Sequence, residues 1–144
     1  EKGTKFMRVI PETEKLRKDD AIRRVILTSG KVYYDLFEER EKRGAKDVVI
    51  LRLEQFYPFP ARALGDMLKA FPEADIAWVQ EEPKNMGGWF FVEPLIEDVL
   101  RDIHHKPCAR ARYIGRISAA APATGLMKRH QAEQAALVNE ALSV

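Results

Sequence analysis

The chain alternates short, nearly unbroken apolar runs with segments in which apolar residues return every three or four positions. Unbroken runs of Val, Ile and Leu suit strands covered on both faces, and the three-and-four spacing suits helices with one buried stripe. Arg24 to Thr28 (RVILT) reads as the first strand and Ser29-Gly30-Lys31 as a turn. Val32 to Arg43 follows as a helix with Val32, Leu36 and Phe37 on one side, ending near Gly44 as helices often do. Asp47 to Leu53 predicts the second strand. Pro58 and Pro60 then break the chain, and Pro60 serves as the first residue of a helix in which Leu64, Met67, Leu68 and Phe71 repeat until Pro72 stops it. Ile76 to Gln80 predicts the third strand. Val92, Leu95, Ile96, Val99, Leu100 and Ile103 describe a further helix starting at or near Pro94.

Arg110 to Ile114 alternates polar and apolar residues and reads as a strand nearer an edge. The longest helix runs from Pro122 to Leu142, with Leu126, Met127, His130, Leu137, Val138, Ala141 and Leu142 mainly along one stripe that needs a cover. Residues 1–20 are less regular and read as an approach segment from a preceding domain, with residues 21–144 as the domain itself. Strands alternating with helices argue for βαβ units, hence an α/β fold with a mainly parallel sheet.

At 144 residues the chain suits one domain, long enough to bury about two-thirds of its unfolded surface. Lys plus Arg number 24 and Asp plus Glu 22. That balance lacks the clustered basic residues that neutralise nucleic-acid phosphates. No apolar run approaches the length of a membrane span, and no signal-like segment opens the chain, so neither nucleic acid nor membrane is an expected partner. The single cysteine, Cys108, excludes an internal disulfide framework and fits a reducing cytosol or organelle matrix. His104, His105 and Cys108 have a metal-like look, but adjacent histidines diverge and no fourth ligand lies nearby, so no metal site is expected. The start at Glu1, running at once into GTKFMRVIPE, reads as a piece cut from a longer polypeptide.

Chemistry-bearing residues concentrate in two places. In ADIAWVQEEPKNMGGW, Ala74 to Trp89, an apolar strand breaks into acids, a proline and paired glycines. This is the carboxyl end of a strand, where open α/β sheets usually dock ligands and partners. Glu81 and Glu82 resemble an acid/base pair by composition, but neighbours at a strand end diverge, one to solvent and one to a loop or partner. Gly87-Gly88 permits positive φ and close backbone approach. Trp89 and Phe90 are either core residues or an apolar contact for a second subunit. The candidate contact set is Glu81, Glu82, Asn85, Gly87, Gly88 and Trp89.

The second concentration is RYIGRISAAAPATGLMK, Arg112 to Lys128. Arg116 with Ser118, Thr124 and Lys128 either holds the phosphate of a nucleotide or acyl-coenzyme effector near a helix start, or Arg116 simply pairs with a neighbouring carboxylate. His130 reads as a packing histidine. Ser29-Gly30-Lys31 lacks the remaining elements of a P-loop and reads as a turn or cap. No Ser/His/Asp arrangement is present, so no catalytic residues are assigned.

Taken in order, GTKFMRVIPE, LTSGKVYYDL, LRLEQFYPFP, QEEPKNMGGW, YIGR with APATG, and MKRHQAEQAALVNEAL resemble the C-terminal domain of the 2-oxoglutarate dehydrogenase decarboxylating component, a thiamine-dependent enzyme. The likeness covers nearly the whole chain. It departs at Gly88, where members commonly carry alanine, and at Ile117, where they carry proline.

The resemblance implies a three-layer α/β/α fold like the C-terminal domain of transketolase. It also implies a homodimer whose preceding domains bind thiamine diphosphate and magnesium, and a lipoyl-bearing succinyltransferase as the next component. Gly65-Asp66 is not the magnesium-diphosphate motif of thiamine enzymes, because Met67 replaces its second glycine and Gly65 falls inside a helix. The expectation is therefore a non-catalytic structural and dimerisation domain, binding no cofactor itself, in a bacterial cytoplasm or mitochondrial matrix. The alternatives are a regulatory module for acetyl-coenzyme A or an adenine nucleotide, or the equivalent domain of a 2-oxoadipate or other 2-oxoacid dehydrogenase.

Overall fold

The computed structural model describes residues 6–121 and 125–144. Its strands are β1 (Val9–Ile10), β2 (Arg24–Thr28), β3 (Val48–Leu53), β4 (Asp75–Pro83) and β5 (Arg112–Arg116). Its helices are α1 (Val32–Arg43), α2 (Ala61–Leu68), α3 (Trp89–Asp102) and α4 (Met127–Leu142). One five-stranded sheet has the order β1-β3-β2-β4-β5. All pairs are parallel except β1, which runs antiparallel to β3.

The unbroken apolar runs divide by period two. Val25 and Leu27 of β2, Val49, Leu51 and Leu53 of β3, and Ile76 and Trp78 of β4 pack on one face with Leu64 and Leu68 of α2 and Trp89, Val92, Ile96 and Leu100 of α3. Ile26, Val48, Ile50, Ala77 and Val79 pack on the other with Val32 and Leu36 of α1 and Leu137, Val138, Ala141 and Leu142 of α4. Successive strand side chains point to opposite faces, so a strand apolar at every position demands helices on both sides. The result is the three-layer arrangement, and β5 lies at an edge as its alternation predicts.

Several boundaries differ from the sequence reading, each for a local reason. The irregular start of the chain contributes β1, whose two residues pair Val9 with Leu53 and Ile10 with Arg52. A two-residue strand is too short to show a period. Helix α2 stops at Leu68, before Pro72, and Pro60 precedes its first residue instead of forming it. Helix α3 starts at Trp89, five positions before Pro94, because burying Trp89 and Val92 offsets the hydrogen bond that the proline cannot make. Strand β5 sits two residues later than predicted, which moves Arg116 from a loop into the strand.

The buried stripe of α4 is shorter than predicted. Leu126 and Met127 are each 71% exposed, and only Leu137, Val138, Ala141 and Leu142 are buried. The amino-terminal half of α4 meets the domain through polar contacts to Arg116 and Asp35.

Two buried arginines fasten the outer layer. Arg24 grips both oxygens of Asp75 at 2.8 and 3.1 Å and donates to the carbonyls of Glu140 and Ala141, capping the end of α4. Arg40 is fully buried and donates to both carboxylate oxygens of Glu12, at 2.6 and 2.9 Å, and to the carbonyl of Val48. Glu12 also accepts from the Ile50 N–H at 2.9 Å. Burial by itself would raise the Glu12 pKa, but Arg40 and the Ile50 N–H outweigh it and hold the carboxyl below its ordinary 4.5. A depressed carboxylate stabilises the fold above the unfolded-state value, and the contribution is lost as the pH falls through the native one.

Glu12→Ala leaves the buried Arg40 with only Glu41, 3.4 Å from its Nε, as counter-charge and is expected to cost about 3 kcal/mol in urea unfolding at neutral pH. The gap between variant and wild type should close as the pH is lowered below 4.5. A loss under about 1 kcal/mol would show that the pair behaves like a surface ion pair.

Candidate functional site

Strand β4 does not stop at Gln80 as its apolar run suggests; it continues through Glu81, Glu82 and Pro83. Gln80 is 2% exposed, and its amide is the centre of the turn beyond. Its Oε1 accepts from Trp78 Nε1 at 2.9 Å and from the Trp89 backbone N–H at 3.0 Å. Its Nε2 donates to the carbonyls of Pro83 at 2.9 Å and Met86 at 2.8 Å, and at 3.2 Å to that of Glu82. One neutral side chain thus satisfies polar groups on β4, the loop and the start of α3.

The glycines make room for it. Gly87 has φ +67°, and a Cβ there would stand 3.0 Å from Glu82 Oε2 and 3.2 Å from the Gln80 amide. A Cβ at Gly88 would come within 2.7 Å of the Phe56 ring, so an alanine at this position requires Phe56 to shift. The paired alternatives at residues 89 and 90 separate cleanly. Trp89 is buried against Tyr113, ring centroids 5.3 Å apart, while Phe90 is 60% exposed. The Trp89 side chain therefore belongs to the domain's own core and Phe90 to its surface. Glu81 and Glu82 diverge: Glu81 lies 3.8 Å from Lys31 Nζ on the β2–α1 turn, and Glu82 is exposed beside Gly87.

Arg116 faces this loop from β5. It is 7% exposed, and its guanidinium meets the Glu81 carbonyl at 2.8 Å, Gln134 Oε1 at 3.0 Å, the His130 ring at 3.2 Å and carbonyl at 3.3 Å, and the Glu133 carboxylate at 3.1 Å. Since arginine only donates, His130 Nδ1 accepts in this contact, which places the ring proton on Nε2. Of the carboxylate-pairing and effector readings of Arg116, the geometry displays the first. Ser118 and Lys128 are exposed, and Thr124 lies outside the described residues.

The two sequence segments, 80–91 and 112–121, form one unit. Asn85 Nδ2 donates to the Ala119 carbonyl at 2.8 Å, and Asn85 Oδ1 accepts from the Ala119 N–H at 3.0 Å. The Lys84 N–H donates to the Arg116 carbonyl, and so does the Tyr113 hydroxyl, at 2.6 Å. Tyr113, Phe56, Glu133 and Gln134 were not singled out in the sequence. Only the spacing of His130, Glu133 and Gln134, one helical turn apart, hints that they share a partner. Burial, with the nearby Glu82 charge adding to it, pushes the Tyr113 hydroxyl up from 10 to about 12.

The remaining candidates have structural partners. His104 takes φ 55° just past the end of α3, and His105 Nε2 lies 2.6 Å from the Ala74 carbonyl. Cys108 packs against the core, and burial pushes its thiol pKa up. Gly65 sits in α2 with Ile103 and Val99 3.3 and 3.5 Å from where a Cβ would stand, and Asp66 faces solvent beside Lys69. These residues do not fit a magnesium-diphosphate site.

The family model described as 2-oxoglutarate dehydrogenase C-terminal matches residues 1–142. The chain belongs to that family. The 2-oxoglutarate dehydrogenase E1 components of Brucella anthropi, Brucella ovis and Brucella canis are each 59% identical to it over 128 residues, 89% of this chain. The match spans 13% of the length of each of those relatives. Among the described residues no helix is long and apolar enough to cross a membrane.

Gln80→Glu replaces the Nε2 donor with an oxygen facing three carbonyls, and is expected to cost about 3 kcal/mol in urea unfolding. Gln80→Met should cost less, because it removes the partner without adding a buried charge. Equal, small losses would mean that water replaces the amide freely. In spectrophotometric titration, wild type minus Tyr113→Phe should show one phenol ionising near 12. A tyrosine raised in this way stabilises the fold below its unfolded value of 10, and the contribution disappears as the pH rises through about 12. A difference curve centred near 10 would contradict the partly buried placement of Tyr113.

Proposed function

We propose that this chain is the C-terminal structural domain of a 2-oxoglutarate dehydrogenase E1 component, non-catalytic in itself, which buttresses the dimer and shapes the active-site entrance. The observation that supports this reading is the pairing of family membership with a carboxyl-end site built for contact. Its polar groups are spent on holding two loops in shape, and its acids diverge. The contact set is Glu81, Glu82, Asn85, Gly87 and Gly88, with Trp89 serving as the buried anchor beneath it.

In this reading the whole enzyme decarboxylates 2-oxoglutarate and passes the succinyl group to the lipoyl arm of the next component of the complex. Thiamine diphosphate and magnesium are held by the preceding domains, where the cofactor supplies the carbon nucleophile. A likeness to the C-terminal domain of transketolase fits the three-layer sheet, and bacterial relatives favour a cytoplasmic setting. The effector reading around Arg116, Ser118, Thr124 and Lys128 requires an incoming phosphate to displace Glu133 and Gln134 from Arg116.

The test is an exchange of parts. The Brucella anthropi relative deleted for its matched region should lose 2-oxoglutarate decarboxylation, and grafting this chain in its place should restore it. The chain alone, given thiamine diphosphate, magnesium and 2-oxoglutarate, should release no carbon dioxide. Turnover by the chain alone, or a graft that assembles but stays inactive, would overturn the reading.

A further inference from the structure

We infer that the aromatic crown at the carboxyl end of the sheet is the seat of the polypeptide that precedes this region in the E1 components. This inference rests on the function proposed above and says which face of the domain joins the rest of the enzyme.

Of the large apolar side chains exposed among the described residues, all but Val144 belong to segments at the carboxyl end. Phe6 lies ahead of β1, Tyr34 is in the first turn of α1, Tyr57 follows β3, Phe90 and Phe91 open α3, and Ile117 follows β5. Single exposed apolar residues scattered over a surface need no explanation, but gathering at one end marks an interaction site. The opposite end presents Lys46, Glu73, Lys106 and Arg110 to solvent.

Part of the crown is anchored to the core. Phe91 stacks on Phe56 with ring centroids 6.1 Å apart and planes at 15°, and Phe56 meets the buried Trp78 ring at 6.0 Å. A patch held by the core loses little side-chain freedom when it is covered.

The direction of β1 identifies the occupant. Because β1 runs antiparallel to β3, the residues ahead of Val9 come off at the carboxyl end. The Arg8 carbonyl accepts there from the N–H groups of Glu54 and Gln55, next to Phe56 and Tyr57. The family is a C-terminal one and the match takes up 13% of each relative, so in those proteins a long preceding polypeptide arrives at this crown. A second copy of the chain is the competing occupant.

The experiment places single cysteines at Tyr57, Phe90 and, at the opposite end, Glu73, in a Cys108→Ser background. Modification by a soluble maleimide is followed site by site by mass spectrometry, in the chain alone and in the chain grafted into the Brucella anthropi relative. Modification at 57 and 90 should slow about tenfold or more in the graft while position 73 is unchanged. Equal rates at all three positions would overturn the proposal. So would protection of 57 and 90 in the chain alone together with a dimeric mass by light scattering, which would assign the crown to a second copy.

If the graft does not assemble, the same labelling in the intact relative decides the question. The position aligned with Phe90 must react more slowly than the one aligned with Glu73, and equal rates would again refute the idea. A protected crown in an inactive graft would sink only the proposed function, whereas an active graft with an accessible crown would sink only this inference.

Discussion

The carboxyl end of this domain depends on the Gln80 amide. A strand that ends in two acids and a proline, followed after a five-residue loop by a helix, leaves several backbone groups without sheet or helix partners. Gln80 collects the Trp89 N–H and the carbonyls of Pro83 and Met86, and holds the Trp78 indole as well. A buried polar side chain is tolerable when each of its groups is matched, and this one is. With the amide in place the loop takes one shape, Trp89 enters the core, and α3 starts five residues ahead of its proline. Phe90 and Phe91 are thereby turned outward.

Arginines do the equivalent task between layers. Arg24, Arg40 and Arg116 are all buried, and each combines a carboxylate with backbone carbonyls: Asp75 and the end of α4, Glu12 and Val48, Glu133 and the Glu81 carbonyl. The planar fork of five donors allows one side chain to tie a strand, a helix and an acid together. Taking such a charge out of water is costly, and it persists where a carboxylate and carbonyls receive it. Nε of Arg40 and of Arg116 lies near a carboxylate without a hydrogen-bond partner, but the rest of each guanidinium is committed to intrachain contacts. Electrostatics in this domain therefore works mainly to position elements.

The two ends of the sheet consequently have different characters. One is charged and solvated. The other is aromatic and placed where β1 enters. A domain of this family has no reaction of its own to organise in the proposed reading, so the precision of its loops is understandable as the precision of a joint.

Much of the fold was legible in the sequence because its signals are local. Unbroken runs such as VVIL gave strands buried on both faces, and the three-and-four spacing gave four helices in the correct order. Side-chain identity also marked the two informative segments, QEEPKNMGGW and YIGR. What the sequence could not show is that Asn85 clasps Ala119, that Arg116 reaches Glu81, Glu133 and Gln134, or that Glu12 finds Arg40. Those partners lie 34, 35, 17, 18 and 28 positions apart, and meet only once the strands and helices have packed into layers. Apolar period fixed which elements form and which faces are covered, since burial acts residue by residue. Register and polar pairing, which decide whether an arginine is free for a ligand and where exposed aromatics gather, arose only once the sheet had been assembled.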